Sequence, residues 1–201
     1  MTIAILDFGM GNLLSVERAL RHVGADAEIT GDPERTLGAD ALVVPGVGHF
    51  GACIRGLEER GLGTAVRDFV ATGRPVFGVC VGLQVLLEGS EEDDDAGLGV
   101  LPGVSRRLGG DVKVPHMGWN EVSWTRAHPY VADLPDGERF YFVHSYAPDV
   151  DGLSVGTTEH GRRFAAVVAR DNVFATQFHP EKSGDAGLHV YERFAKEVAA
   201  A

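Results

Sequence analysis

Between residues 2 and 90, short apolar runs rich in β-branched residues alternate with stretches of helical periodicity. No other feature narrows the fold as much. "TIAIL" (2–6) reads as a buried strand, "AEIT" (27–30) as a second, "ALVVPG" (41–46, ended by Pro45) as a third and "PVFGV" (75–79) as a fourth. Between the first two, Leu13, Val16, Leu20 and Val23 recur at helical spacing, with Glu17, Arg18 and Arg21 on the other side. "FGACIRGLEER" (50–60) and "LGTAVRDFVATG" (62–73) also read as helices, and "GLQVLLEGS" (82–90) as another with Ser90 near its end. Strands that alternate with helices imply a parallel sheet covered on both faces.

The second half is organised differently. "RFYFVHSYAP" (139–148) and "RFAAVVARDNVFATQFHP" (163–180) are strand-rich, and a turn at Arg170-Asp171-Asn172 suggests antiparallel hairpins. Helical spacing returns at the end through Leu188, Tyr191, Phe194 and Val198. The segment "EEDDDAG" (91–97) reads as an acidic loop. No repeat or linker interrupts the 201 residues, so the expectation is a single domain over 1–201. Its fold class is α/β, with a mixed, mostly parallel central sheet flanked by helices.

Several function classes drop out on composition. A net charge of −11 argues against a nucleic-acid partner. Apolar stretches fall short of the roughly 20 residues of a membrane span, and the first residues lack a secretory leader. Two cysteines, Cys53 and Cys80, cannot build a disulfide framework, and without CxxC spacing no metal site is expected. A reducing cytoplasm fits. "DFGMGNLLS" (7–15) carries Gly9 and Gly11 but Leu14 where a dinucleotide fingerprint needs its third glycine, so no cofactor is expected there.

Cys80 sits in a strand–Gly-X-Cys-X-Gly–helix sequence, the thiol counterpart of a nucleophile elbow. Such a bend crowds the backbone and favours small residues, here Gly78 and Gly82. It also sets the sulfur at a helix N-terminus, where thiolate is stabilised. On this segment alone a buried structural thiol is the favoured reading, because free cysteine is among the most buried residue types. Cys53 lacks such surroundings and reads as structural. In "QFHPEKS" (177–183), His179 and Glu181 are two apart, and in an extended chain both would point to one side, as a base and its orienter require. Glycine-dense "PGVGHFG" (45–51) follows the third strand. Gly46, Val47 and Gly48 could lend backbone N–H groups to an oxyanion, with the Val81 N–H as the second donor.

Gly-X-Cys-X-Gly-X-Gln with a distal His-Pro-Glu resembles the class I, triad-type glutamine amidotransferases. "DFGMGNLLSV", "PGVGHFG", "PHMGWNEV" (115–122), "FYFVHSYAP" (140–148) and "ATQFHPEKSG" (175–184) narrow the resemblance to the glutaminase subunits of imidazole glycerol phosphate synthases, over essentially the whole chain. Departures are mild: Phe8 in place of an expected tyrosine, and the apolar Val79, Val81 and Leu83 around the nucleophile. The resemblance implies a flavodoxin-like amidotransferase architecture. It implies hydrolysis of L-glutamine to glutamate and ammonia through a thioester on Cys80, with His179 and Glu181 completing the triad. By similarity Gln84 binds substrate, as would the backbone at Ser145 and Tyr146, and Glu92 is the candidate for the glutamine α-ammonium.

The resemblance also implies a heterodimer with a TIM-barrel cyclase that uses the ammonia to make imidazole glycerol phosphate and aminoimidazole carboxamide ribotide in histidine biosynthesis. Met117, Trp119, Asn120 and Lys182 are then expected near the interface, while the sequence assigns no such role to Arg106, Arg107 or Lys113. Three other readings stand beside this one. They are a glutaminase subunit serving pyridoxal phosphate or anthranilate synthesis, a non-catalytic regulatory module of the same fold, and a cysteine hydrolase acting alone.

Overall fold

The computed structural model describes residues 1–200. In chain order the elements are β1 (Ile3–Leu6), α1 (Leu13–His22), β2 (Ala27–Thr30), α2 (Pro33–Gly38), β3 (Ala41–Val44), α3 (Phe50–Glu59) and α4 (Leu62–Ala71). There follow β4 (Val76–Val79), α5 (Val81–Leu86), β5 (Gly89–Ser90), β6 (Val104–Arg107), β7 (His116–Trp124), β8 (Glu138–His144) and β9 (Tyr146–Pro148). The chain continues with β10 (Ser154–His160), β11 (Arg162–Arg170), β12 (Val173–Thr176) and α6 (Gly184–Ala200).

One nine-stranded sheet, ordered β2-β1-β3-β4-β12-β11-β10-β7-β8, spans the molecule, and β5, β6 and β9 form a small second sheet. The α/β alternation of the first half gives the parallel block: β1 pairs with β2 and β3, and β4 with β3 and β12. Beyond β12 the pairings turn antiparallel through β11, β10, β7 and β8. The sheet is mixed as expected but not mostly parallel: four of its neighbouring pairings are parallel and four antiparallel, because the hairpins of the second half join the same sheet.

Strands β1, β3, β4 and β12 are buried at every residue, so both faces of the sheet centre are covered. The rule that crossovers between parallel strands are right-handed accounts for this. The step from β1 out to β2 carries α1, and the return through β3 to β4 runs the other way, carrying α2, α3 and α4. α1 accordingly packs with α6, and α3 with α4 and α5. Phe77 of β4 lies under α6, in contact with Tyr191 and Phe194 at ring centroids of 5.5 and 5.4 Å.

Three local readings need correction. "GLQVLLEGS" is not helical to Ser90: α5 stops at Leu86, and Gly89–Ser90 pairs with Val104–Ser105. Helix α2 is absent from the periodicity because it is one and a half turns long. Its signal is chemical: Asp32 caps the Glu34 and Arg35 N–H groups (2.8 and 3.4 Å) and Pro33 opens the first turn. Strands β7 and β10 also emerge only in the structure, where their neighbours supply the pairing. Among the described residues no helix is long and apolar enough to cross a membrane.

Candidate active site

The carboxyl ends of β3, β4 and β12 meet at one edge of the sheet, where ligands gather in open α/β folds. β4 ends in a sharp bend at Cys80, whose φ of 55° and ψ of −110° are strained for a side chain of this kind. The surroundings fix that strain. A Cβ on Gly82 would lie 1.8 Å from the Val44 carbonyl oxygen, and one on Gly78 2.9 Å from Leu86. The Cys80 N–H donates to Thr176 O (2.8 Å), and its carbonyl accepts from Leu83 and Gln84 N–H (3.0 and 3.4 Å), opening α5. Cys80 is buried, at the wall of a cavity of about 510 Å³.

His179 lines the same cavity, and its Nδ1 hydrogen-bonds Glu181 Oε1 at 2.8 Å. The route differs from the extended chain read from the spacing. Only His179 is extended (φ −99°, ψ 99°), while Pro180–Lys182 forms a 3₁₀ turn from which the carboxylate reaches back. Proline's fixed φ suits the first position of a turn and straightens only the residue before it. The His179 backbone is strapped to β8: its N–H donates to Tyr141 O (2.9 Å), and Ser183 Oγ bridges His179 O (2.7 Å) and Tyr141 N–H (2.9 Å). With Nδ1–H given to Glu181, Nε2 is the nitrogen left for chemistry. Burial disfavours a charged ring here, but the Cys80 sulfur and the Glu181 carboxylate outweigh it and push the His179 pKa up to about 10.

The glycine loop is arranged differently from a ready oxyanion hole. The Val81 N–H donates to the Gly46 carbonyl oxygen (3.3 Å), so one expected donor is already engaged. Because C=O and N–H oppose each other across a trans peptide, the Val47 N–H then points away from Val81. Gly46 itself is wedged against α5, where a Cβ would lie 2.6 Å from the Gly82 nitrogen. Val47 and Gly48 do line the cavity. The Cys53 thiol sits beneath them, donating to Val47 O at 3.6 Å. Burial first, then the negative charges of Cys80 and Glu92, push its pKa up to about 12, which keeps it an unreactive thiol.

Sequence comparison bears on the same residues. The glutamine amidotransferase class-I family pattern matches residues 4–198. The chain belongs to that family. Imidazole glycerol phosphate synthase subunit HisH of Chromobacterium violaceum is 49% identical, with 96% of this chain and 97% of that one covered. The protein of the same name from Halobacterium salinarum is 50% identical over 96% and 92% of the two chains. Among solved structures, a glutamine amidotransferase superposes with TM-score 0.73 at 25% identity over 99% of both chains. PurLQS from Thermotoga maritima superposes at 0.77 and 18% identity over 98% of each, a likeness of fold.

The amidotransferase cavity is also lined by Val81, Gln84, Glu92, Ser145, Tyr146 and Lys182, all singled out in the sequence, and by Asn12, Pro115, Val143 and His144, to which the motifs assign no role. Gly46 and Glu181 stand just behind this wall. Of the acidic run only Glu92 faces inward: Glu91 is taken by Arg106 and the Arg107 N–H, and Asp93 and Asp95 by Arg55. Glu92 Oε2 accepts the Phe50 N–H at the start of α3 (2.8 Å), which anchors the carboxylate in the cavity wall. Gln84 Nε2 donates to Tyr146 O (2.9 Å) and Gln177 Oε1 (3.1 Å), leaving its own carbonyl oxygen to offer a ligand.

Met117 and Trp119 are 64% and 49% exposed, so Trp119 is not core packing; its ring meets Tyr141 edge-on. Asn120 turns inward, its amide donating to Glu159 O (2.9 Å) and contacting His116 Nε2 (3.3 Å). Reading the motifs for a triad misses His116, His144 and Gln177. His116 Nδ1 lies 3.2 Å from His144 Nε2, and His144 Nδ1 lies 2.9 Å from Tyr146 O, so an unbroken donor chain runs from Asn120 into the cavity wall.

Burial holds His116 at about 4 and His144 at about 3, with neighbouring histidines acting in the same direction. His128, beside Phe174 and far from the cavity, is held at about 4 by burial and Arg126. These rings stay neutral in the fold while the unfolded chain takes up protons below about pH 6.5. Their stability contribution is intact above that pH and is lost as pH falls towards 4. We expect the melting temperature to drop by roughly 10 °C between pH 7 and 5, at about 1–2 kcal/mol per ring. His179, whose raised pKa favours the fold as pH falls, offsets part of this. His128→Asn, which keeps an acceptor but cannot titrate, should make the fall shallower in calorimetry; an unchanged slope would refute the assignment.

Proposed function

We infer that this chain is the glutaminase subunit of an imidazole glycerol phosphate synthase, supplying ammonia for histidine biosynthesis. The observation that carries the reading is Cys80, strained and buried at a helix start, sharing one cavity with a His179 that Glu181 orients. In the reaction we propose, the Cys80 thiolate attacks the side-chain amide carbon of L-glutamine. Imidazolium His179 gives its Nε2 proton to the leaving nitrogen, ammonia departs, and a thioester remains. Neutral His179 then takes a proton from water, hydroxide adds to the thioester carbonyl, and glutamate leaves as the thiolate is restored. Glu181 keeps Nδ1–H in place throughout. Glu92 holds the α-ammonium and Gln84 the amide of the substrate.

HisH-type glutaminase subunits pair with a TIM-barrel cyclase. For this chain we propose that Met117, Trp119 and Lys182 form the docking surface, with Asn120 supporting it from beneath. Ammonia is largely protonated once released at neutral pH, so direct transfer from cavity to partner preserves the nucleophile. The Gly46–Val47 peptide supplies the control. Turned over, it would release the Val81 N–H and bring the Val47 N–H to the oxyanion, and ligand on the cyclase is proposed to drive that turn.

One oxyanion donor is worth about 10²–10³ in rate. Glutamate release should therefore rise at least about 100-fold when the cyclase and its ribonucleotide ligand are added. Equal rates with and without them would end the switch proposal. Activation by a pyridoxal phosphate or anthranilate synthase partner instead would reassign the pathway.

A further inference from the structure

We propose that Gln177 is a further catalytic residue, whose side-chain N–H donates to the Cys80 sulfur and steadies it as thiolate. This rests on the glutaminase reading above and deepens it. Gln177 is fully buried, and its Nε2 lies 3.7 Å from Cys80 Sγ. Which end of an amide faces a neighbour is ordinarily ambiguous, but here the surroundings decide it.

Tyr146 O is a carbonyl that can only accept, so the Gln84 atom facing it at 2.9 Å must be the NH₂ group. The same Gln84 nitrogen faces Gln177 at 3.1 Å, so Gln177 presents its oxygen there. Its NH₂ is thereby turned to the sulfur. His144 Nδ1, bonded to the same Tyr146 carbonyl at 2.9 Å, holds the first link of the chain.

The chemistry follows from what each neighbour can exchange with sulfur. A neutral thiol is a poor acceptor, whereas a thiolate accepts a charge-assisted hydrogen bond. A buried donor in this position therefore favours the ionised sulfur over the neutral one. The Val143 carbonyl, 3.9 Å from Sγ, works the other way, since only a protonated sulfur can donate to it. His179 balances charge on the cavity side, and Gln177 approaches from the interior, where no solvent could replace it. The donor acts twice in the cycle. It supports the thiolate before attack, and it supports the sulfur again as leaving group when the thioester is hydrolysed.

Two measurements test this without relying on glutamine turnover. The first is the rate at which iodoacetamide alkylates Cys80 at pH 7 in the full chain, read by peptide mass mapping so that Cys53 is counted separately. Gln177→Met, similar in size but without a donor, should lower that rate at least about tenfold. Alkylation of Cys80 at the wild-type rate in a variant that still binds the cyclase would overturn the proposal. The second keeps Gln177 and changes the sulfur: the Gln177 side-chain amide proton, followed by NMR in glutamine-¹⁵N-labelled chain, should shift in Cys80→Ala. An unmoved resonance would equally overturn it. If instead Cys80→Ala kept its glutaminase activity, the functional reading would fail while both measurements still judged Gln177.

Discussion

Cys80→Ala should abolish glutamate release from the complex with the cyclase, lowering kcat/KM at least about 10⁴-fold, because the hydroxyl residues left on the cavity wall, Ser145 and Tyr146, are far weaker nucleophiles than a thiolate. Cys53 cannot substitute: its thiol is committed to Val47 O and held far from ionisation. Structure should be preserved, since alanine keeps the Cβ and the hydrogen bonds of the Cys80 backbone to Thr176, Leu83 and Gln84. The variant is therefore expected to melt near wild type and to bind both glutamine and the cyclase. Steady-state glutamate assay with calorimetry separates the two effects. Activity within tenfold of wild type would remove Cys80 from the mechanism.

Gly82→Ala is expected to fail for the opposite reason, through the fold. Its Cβ would fall 1.8 Å from the Val44 carbonyl oxygen and 2.8 Å from the carbonyl carbon, and a Cβ has no rotamer by which to escape. Strand β3, between β1 and β4 in the sheet centre, would have to move from the elbow. A cost above about 3 kcal/mol follows, a fall in melting temperature near 10 °C or loss of soluble protein. Gly38→Ala supplies the control. That glycine lies at the end of α2 with nothing within 4 Å of its Cβ position, and alanine there should leave the melting temperature unchanged or raise it. Equal behaviour of the two variants would show that the close approach of β3 to the elbow is not limiting.

Much of this site is legible in the amino-acid sequence. The elbow declares itself because strand, small residues and helix are contiguous, and local sterics leave few alternatives for Gly78-Val79-Cys80-Val81-Gly82. Spacing finds His179 and Glu181, though through a geometry the chain does not adopt: Pro180 begins a 3₁₀ turn instead of extending the strand. Gln177 escapes a motif reading, although alternation puts residues 177 and 179 on the same side of an extended chain. Its importance depends on Gln84 and Tyr146, both far off along the chain, so no local pattern could mark it. The acidic run illustrates the same boundary. Five consecutive acids are equivalent in sequence, and only the positions of Arg55, Arg106 and Phe50 decide that Glu92 faces the cavity.

By itself the sequence determined the parallel half of the sheet, the bend that carries Cys80, and the residue types able to serve as nucleophile, base and orienter. Those properties follow from periodicity and backbone sterics within a few residues. The tertiary structure alone decided the direction of the Gly46 carbonyl, the neutrality of His116 and His144, and the donor that Gln177 turns to the sulfur. Each of these depends on burial and on hydrogen-bond partners brought from distant strands, and such partners exist only once the sheet has closed around the site.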